Sequence, residues 1–431
     1  MVSTTAIALL VVGLVVGGAV GYSVSLLAVP ASSSSTTTST TTSTKTYYIG
    51  SIEPLSGTYA VYGQSFLEST ELAVNQMNAN LSAAGNDIQF KVVSADDGGT
   101  PQQAESALTT MYSTYGIHAL IGPLTSAEVD GLLQTADTDH IVVLPPAATA
   151  TSLEFPRNSS NYLFRPGQPG DQYEGSALAQ TVIQLGAKNV VFFYRNDPSE
   201  YGTYNYSSAI MQNAGLKVDG VQFQPDQTDY SAQVAIAESD AQTFLTSGGT
   251  SSNTVVVCAC SGPTENQNIF THASSDQYLS EIRWFGVEAI DTPSLLDSST
   301  GPWMSQVNFT ITSPAAFTSP QLSYFNQTFI AAYGSQPQPY SNYAYDNTWI
   351  AMLAILMAGS YNGPSIQAVI PLAADHYFGA TGTGVWLDQN NEQTFAIYNI
   401  LQCIPQNSTA STTEQIGSYN GATNSVTLTA G

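Results

Sequence analysis

Residues 47–57, YYIGSIEPLSG, running on into TYAVYGQSFLESTELAVNQMNANL over 58–81, decide the fold. The first part reads as an apolar strand stopped by a Pro/Ser/Gly turn. From Gln64 a helical pattern follows, with Leu67, Val74 and Leu81 at heptad spacing and Ala73 and Met77 beside them. Outward from there the alternation continues. IQFKVVSADD (88–97) is a strand, Gln102–Tyr115 a helix and HALIGPL (118–124) a strand; a short helix and the strand HIVVLPP (140–146) complete it. Strands alternating with helices predict a parallel sheet covered on both faces, which opens its ligand site beyond the carboxyl ends of the strands.

A second unit of the same grammar starts near Pro169. Its helix reaches Leu185 and stops at Gly186; NVVFFY (189–194) follows, then a turn with Asp197 and Pro198, then Tyr201-Gly202 and another helix. The first unit has the same order, with Glu53 in the acidic turn and Tyr62-Gly63 ahead of the helix. Two similar lobes are expected. NTVVVCAC (253–260) and IRWFGVE (282–288) add strands, and the apolar helix 345–358 is too short to span a bilayer, so it reads as core. GVWLD (384–388), TFAIYNILQ (394–402) and EQIGSYNGATNSVTLT (414–429) read as strands, with Asn420-Gly421 marking a hairpin.

Of 431 residues only 9% are charged, against roughly a quarter in ordinary soluble proteins. Eight Lys+Arg face 32 Asp+Glu, a formal net charge of −24. Such a surface repels phosphate backbones, so nucleic acid is excluded as a partner. The hydrophobic share of 43% is ample for a core, and the length suits two lobes plus an anchor. Scarce charge also suits an acidic medium, where carboxylates are neutral; acid unfolding beginning near pH 5 would count against that expectation. Six N-x-S/T sequons (Asn80, Asn158, Asn205, Asn308, Asn326 and Asn407) point to an exported glycoprotein. Cys258 and Cys260 share one face of a strand and either could pair with Cys403; buried free thiols are the other reading.

Ala6–Val29 is almost wholly apolar and uncharged, long enough as a helix to cross a bilayer. A signal peptide cut after Ala31 is the rival, and the length favours a retained anchor over 1–31. Residues 32–45, nearly pure Ser/Thr, form a solvated stalk. Anchor, stalk and globular domain in that order predict display on the extracellular side of the cell surface.

The pieces IGSIEPLSGTYAVYGQS (49–65), ALIGPLTSAEV (119–129), IVVLPPAATA (141–150), DPSEYG (197–202), FGVEAIDTPSLL (285–296), YDNTWIAMLAI (345–355) and GATGTGVWLDQNNEQTFAIYNI (379–400) occur in order. With them the chain resembles the type I periplasmic-binding-protein fold, and within it the leucine/isoleucine/valine-binding proteins of ABC transporters, over about residues 46–428. The resemblance implies an α/β protein with two Rossmann-like lobes and parallel-type sheets joined by three crossovers. Lobe I would take 46–166 and 290–376, lobe II 167–289 and 377–431. It implies a monomeric, non-enzymatic protein that traps an aliphatic amino acid as the lobes close and passes it to a membrane permease. The ligand carboxylate would be held by hydroxyls and N–H groups at Ser126, Ala147 and Thr149, the ammonium by Glu288, with Tyr62 and Tyr201 facing the cleft. The chain departs from the family in having Thr125 where a disulfide cysteine would stand, and CSGPTENQ (260–267) in place of an aromatic-rich stretch.

The chemistry fits a zwitterion. Either charge buried unpaired costs several kcal/mol, and hydroxyls and N–H groups can hold an anion without a formal cation. With so few Arg, a hydroxyl-based site is the one this composition supports. Asp197 reads as a helix cap instead of a ligand contact. Cofactors and metals are not called for. GATGTG (379–384) precedes a strand instead of opening a helix, and His118, His140, His272 and His376 are scattered singly. A receptor ectodomain or an amide- or urea-binding protein on the same fold is the rival; only five residues precede the anchor, which favours transport.

Overall fold

The computed structural model describes residues 44–155, 157–167, 169–315, 319–381, 387–394 and 396–429. The anchor and nearly all of the stalk expected from the sequence lie outside these. No helix among the described residues is long and apolar enough to cross a membrane.

The chain opens with β1 (Lys45–Glu53), α1 (Ala60–Ala83), β2 (Ile88–Asp96), α2 (Pro101–Tyr115), β3 (Ala119–Ile121), α3 (Ser126–Asp139) and β4 (Val142–Leu144). The four strands form one parallel sheet in the order β2-β1-β3-β4. Alternation along β1 sends Tyr47 and Ile49 into one core with Met77 of α1, and Ile52 into the other with Leu108 of α2 and Leu132 of α3. Each such side chain, fully buried, contributes about 1.5–3 kcal/mol.

After a crossover near residues 165–170 come α4 (Asp171–Gln184), β5 (Asn189–Arg195), α5 (Pro198–Asn213), β6 (Lys217–Phe223), α6 (Ser231–Thr246), β7 (Thr254–Ala259), α7 (Pro263–Ala273) and β8 (Arg283–Gly286). The short helices α8 (Pro293–Leu296) and α9 (Gly301–Gln306) lead to β9 (Thr310–Pro314). β7 is buried along its whole length, with Val256 and Cys258 on one face and Val255 and Val257 on the other. The chain then returns to the first lobe with α10 (Pro320–Tyr333), α11 (Ser341–Ala358) and α12 (Gly363–Asp375), which complete the core around Tyr47 and Ile49. It crosses a third time to lay β10 (Ile397–Pro405), β11 (Ser411–Asn420) and β12 (Ser425–Leu428) onto the second sheet, whose order is β12-β11-β10-β9-β8-β7-β5-β6.

Two expectations change. Residues 290–314 were assigned to the first lobe, but α8 and α9 pack in the second core and β9 pairs with β8 and β10, so the return falls after Pro314. The second sheet is also not purely parallel: β9 to β12 are antiparallel neighbours, a meander added to the doubly wound part. The hairpin at Asn420-Gly421 exists, with 421–424 as its loop. Cys258, Cys260 and Cys403 are buried free thiols in one core.

α1 begins at Ala60, four residues ahead of the expected Gln64. Its first turn is close-packed at Gly63, where any Cβ would come within 2.2 Å of the Pro54 carbonyl oxygen. The helix start presses directly on the end of β1. Gly202 is also closely approached in the second lobe, but by a helix start and not a strand end: a Cβ there would meet Asp171 Oδ2 at 2.7 Å. The repeated Tyr-Gly pair is thus a packing device at its glycine.

Candidate functional site

The carboxyl ends of both sheets face a cavity of about 430 Å³ between the lobes. Its first-lobe wall includes Tyr59 of the β1–α1 connection and Tyr62 in the first turn of α1, Gly98 and Gly99 after β2, Thr125 and Ser126 at the start of α3, and Ala147 and Thr149 after β4. The second-lobe wall includes Glu174, Arg195, Glu200, Ser261 and Glu288. Ser126, Ala147, Thr149, Tyr62 and Glu288, inferred from scattered segments, therefore meet in one hollow.

Ser126 is held by a capped helix start. Thr125 accepts from Glu128 N at 3.3 Å, and Glu128 Oε2 accepts from Thr125 N at 2.7 Å, closing a capping box. The Ser126 hydroxyl oxygen accepts from Thr149 N at 3.1 Å and Ala150 N at 3.0 Å. That welds the two pieces of the near wall and leaves the Ser126 O–H as the group free to donate. The Thr149 N–H, expected to face an anion, is consumed inside the wall. The Thr149 hydroxyl reaches across the cleft to Ser199 Oγ at 2.9 Å, and Ser199 donates on to Asp171 at 2.9 Å. Tyr59 and Ser261 make a second interlobe hydroxyl pair at 3.2 Å.

Tyr201 is not on the wall. It is 47% exposed and its ring lies 6.2 Å from that of Tyr194. Its neighbour Glu200 turns inward, accepting from Ser261 N at 2.8 Å. Asp197 does cap α5, accepting from Ser199 N and Glu200 N at 3.0 Å, and it also lines the cavity and pairs with Arg195 at 2.6 Å.

The remaining wall groups left no mark in the sequence reading. Glu174 stands in the first turn of α4, where burial and the nearby Glu288 charge hold its carboxyl well above the usual range. Tyr340, at the start of α11, has φ 69°, a left-handed conformation rare for a bulky residue and worth about 1–3 kcal/mol of strain. Beneath the near wall lie Glu53, Asp97 and Glu128, all buried. Burial and its two acidic neighbours push the Glu53 carboxyl well up; burial lifts Asp97 to about 6, and burial with the Asp97 charge lifts Glu128 to about 7. Among the described residues no group of His, Cys, Asp and Glu suits a metal ion.

All four Arg are committed to partners within the protein, Arg195 from the far wall itself. Arg157 bonds to Asn391 and to the Asp388 carbonyl, Arg165 to Glu392, Arg195 to Asp197 and Glu265, and Arg283 to Thr310 and Gln402. The near wall therefore offers neutral donors, and the far wall is rich in acid.

The profile of a family described as periplasmic binding proteins matches residues 46–403. The chain belongs to that family. A Leu/Ile/Val-binding protein of Rhizobium johnstonii is 29% identical to this periplasmic binding protein over 154 residues, 36% of this chain and 40% of the relative. An uncharacterised protein of Methanocaldococcus jannaschii is 27% identical over 187 residues, 42% and 44% of the two chains. The chain thus spans about half the length of the curated relatives it matches. A solved leucine-binding protein of Thermotoga maritima superposes with a TM-score of 0.69 over 89% of this chain and 98% of its own, at 21% identity. A branched-chain amino acid substrate-binding protein of Streptococcus pneumoniae, solved with isoleucine, gives 0.66 over 86% and 100%, also at 21%. The resemblance to type I leucine/isoleucine/valine-binding proteins is borne out, and the relatives that carry a functional name are solute-binding proteins.

Proposed function

We propose that this solute-binding protein captures a small amino acid, aliphatic in side chain, between its lobes and delivers it to the permease of an ABC transporter on the outer side of the cell membrane. The observation that carries the reading is the meeting of Ser126, Ala147 and Thr149 with Glu288 across one cavity. A carboxylate fits the near wall, where the Ser126 hydroxyl stands at the amino end of α3. An ammonium fits the far wall, where Glu288 Oε2 is buried and accepts no hydrogen bond. Tyr62 and Phe66 supply apolar surface for a side chain. The relatives named for leucine, isoleucine and valine support the same ligand class.

The test is a thermal-shift series on the full-length chain with L-leucine, L-isoleucine, L-valine, acetamide and urea. A ligand at about 100 times its Kd should add about 2.7 kcal/mol of stability. Stabilisation by acetamide or urea with none by the amino acids would overturn the reading. Deleting the gene should abolish uptake of whichever solute stabilises; unchanged uptake would remove the transport role.

A further inference from the structure

The far wall holds more acid than one ammonium requires. Glu174 in the first turn of α4 and Glu288 in the turn after β8 come from separate elements and line the same wall of the cavity, near enough that the Glu288 charge bears on the Glu174 carboxyl. Glu174 Oε1 and Glu288 Oε2 are buried and accept no hydrogen bond, and the buried Tyr340 hydroxyl lies beside both acids. Among the described residues no Lys or Arg pairs with either acid, and Arg195 on the same wall is bound to Asp197 and Glu265. The other titratable groups facing the pair are Asp171, Glu200, Tyr62 and Tyr398, none of which brings positive charge. Two carboxylates so placed, half-buried and without a cation, repel each other; one proton between them removes the repulsion and satisfies two oxygens at once.

We propose that Glu174 and Glu288 form a joint cation site that holds one shared proton until a ligand's ammonium displaces it into solvent. This rests on the reading above that the ligand carries an ammonium. The exchange balances. The O–H bond of the shared acid breaks, its proton leaves to water, and the ammonium keeps its own three hydrogens. The pair with its proton carries one negative charge, and two carboxylates with one ammonium carry the same, so the charge at the acid pair is unchanged; the ligand's own carboxylate is the one charge added, and it lies at the near wall against neutral donors. Three N–H donors find three acceptors in the two acids and the Tyr340 oxygen. Burial of Glu174 beside Glu288 favours its protonated form in the ligand-free protein. Ligand and proton compete, so affinity rises with pH wherever the pair still holds its proton.

Calorimetry of L-leucine binding to the full-length chain, in buffers of differing ionisation enthalpy, should register release of about one proton per ligand and a Kd that falls about tenfold per pH unit through the pair's titration. Glu174→Gln should bind less tightly, release none and lose the pH slope. No proton release by the wild type, or undiminished release by Glu174→Gln, overturns the proposal. A second arm needs no ligand. In infrared spectra of the ligand-free chain, Glu174→Gln/Glu288→Gln should lose the carboxylic-acid band of about one group relative to wild type. Loss of none, or of two, overturns the shared proton. If that single loss is seen and no amino acid binds, the amino-acid reading fails while the shared proton stands.

Discussion

Ser126 shows how one hydroxyl can bear on both fold and ligand. Its oxygen takes two buried N–H groups, from Thr149 and Ala150, so Ser126→Ala orphans both. A loss of about 1–3 kcal/mol in urea unfolding is expected, together with weaker leucine binding; an unfolding curve identical to wild type would show that water takes over the two donors. Tyr62 and Tyr201 separate more sharply. Tyr62→Ala should weaken binding, since the ring lines the cavity, and Tyr201→Ala should leave affinity unchanged, since that ring is largely in solvent. The sequence made the two look equivalent because each precedes a glycine and a helix. What the two units share is the glycine's close approach, at Gly63 and Gly202, and a one-residue difference in which side chain then turns inward brings Glu200 to the cleft. Ser126, Ala147 and Thr149 were legible because a short apolar strand announces where its carboxyl end opens. Glu174 and Tyr340 were not, since a helix's first-turn acid and a tyrosine in an irregular loop look the same on any surface.

The crossovers are tied together by one buried ion pair. Arg165, 1% exposed, donates to the carbonyls of Ala148 at 3.0 Å and Ala150 at 2.9 Å, while its Nε sits 2.7 Å from the Glu392 carboxylate. One side chain thus binds the first crossover, the third crossover and the loop that carries Thr149. Arg165→Met should destabilise by about 3–5 kcal/mol in urea unfolding because Glu392 is left buried without a partner, and Arg165→Met/Glu392→Leu should recover most of that loss. Equal loss in single and double variants would mean that the carbonyl contacts matter more than the ion pair. Most strands and helices of the first lobe were readable from period alone, as were β7 and α11, whereas β6, α6 and α7 were not read. β9 escaped notice because TITSP carries too little apolar alternation to stand out, and with it went the assignment of residues 290–314. Asn420-Gly421 announced the antiparallel β11–β12 pair, but the direction of β10 against β9 is set by how the chain returns after the third crossover, which no local pattern encodes.

At the scale of the whole molecule the buried acids dominate. Burial lifts Asp171, Glu128 and Glu392 to about 7 and Asp97 and Asp346 to about 6, and it pushes Glu53 and Glu200 well above the usual range. For a carboxyl raised by folding, the unfolded chain gives up its proton first. The stability it contributes is full below about pH 4 and is lost as pH climbs through the folded value. Urea unfolding should therefore show greatest stability on the acid side and a decline from about pH 5 to pH 8, opposite to proteins held by ionised pairs; a maximum at neutral pH would contradict the sum of these shifts. The expectation of acid tolerance drawn from scarce charge points the same way. The order in which the chain visits its lobes has a different consequence. The first core waits for Phe329, Ile350 and Ile370, and the second sheet waits for β10 to β12. A chain leaving a ribosome or threading a membrane pore amino end first can close neither half until its last third has emerged. Such interleaving keeps the polypeptide pliable for most of its passage and makes final folding one late, concerted event.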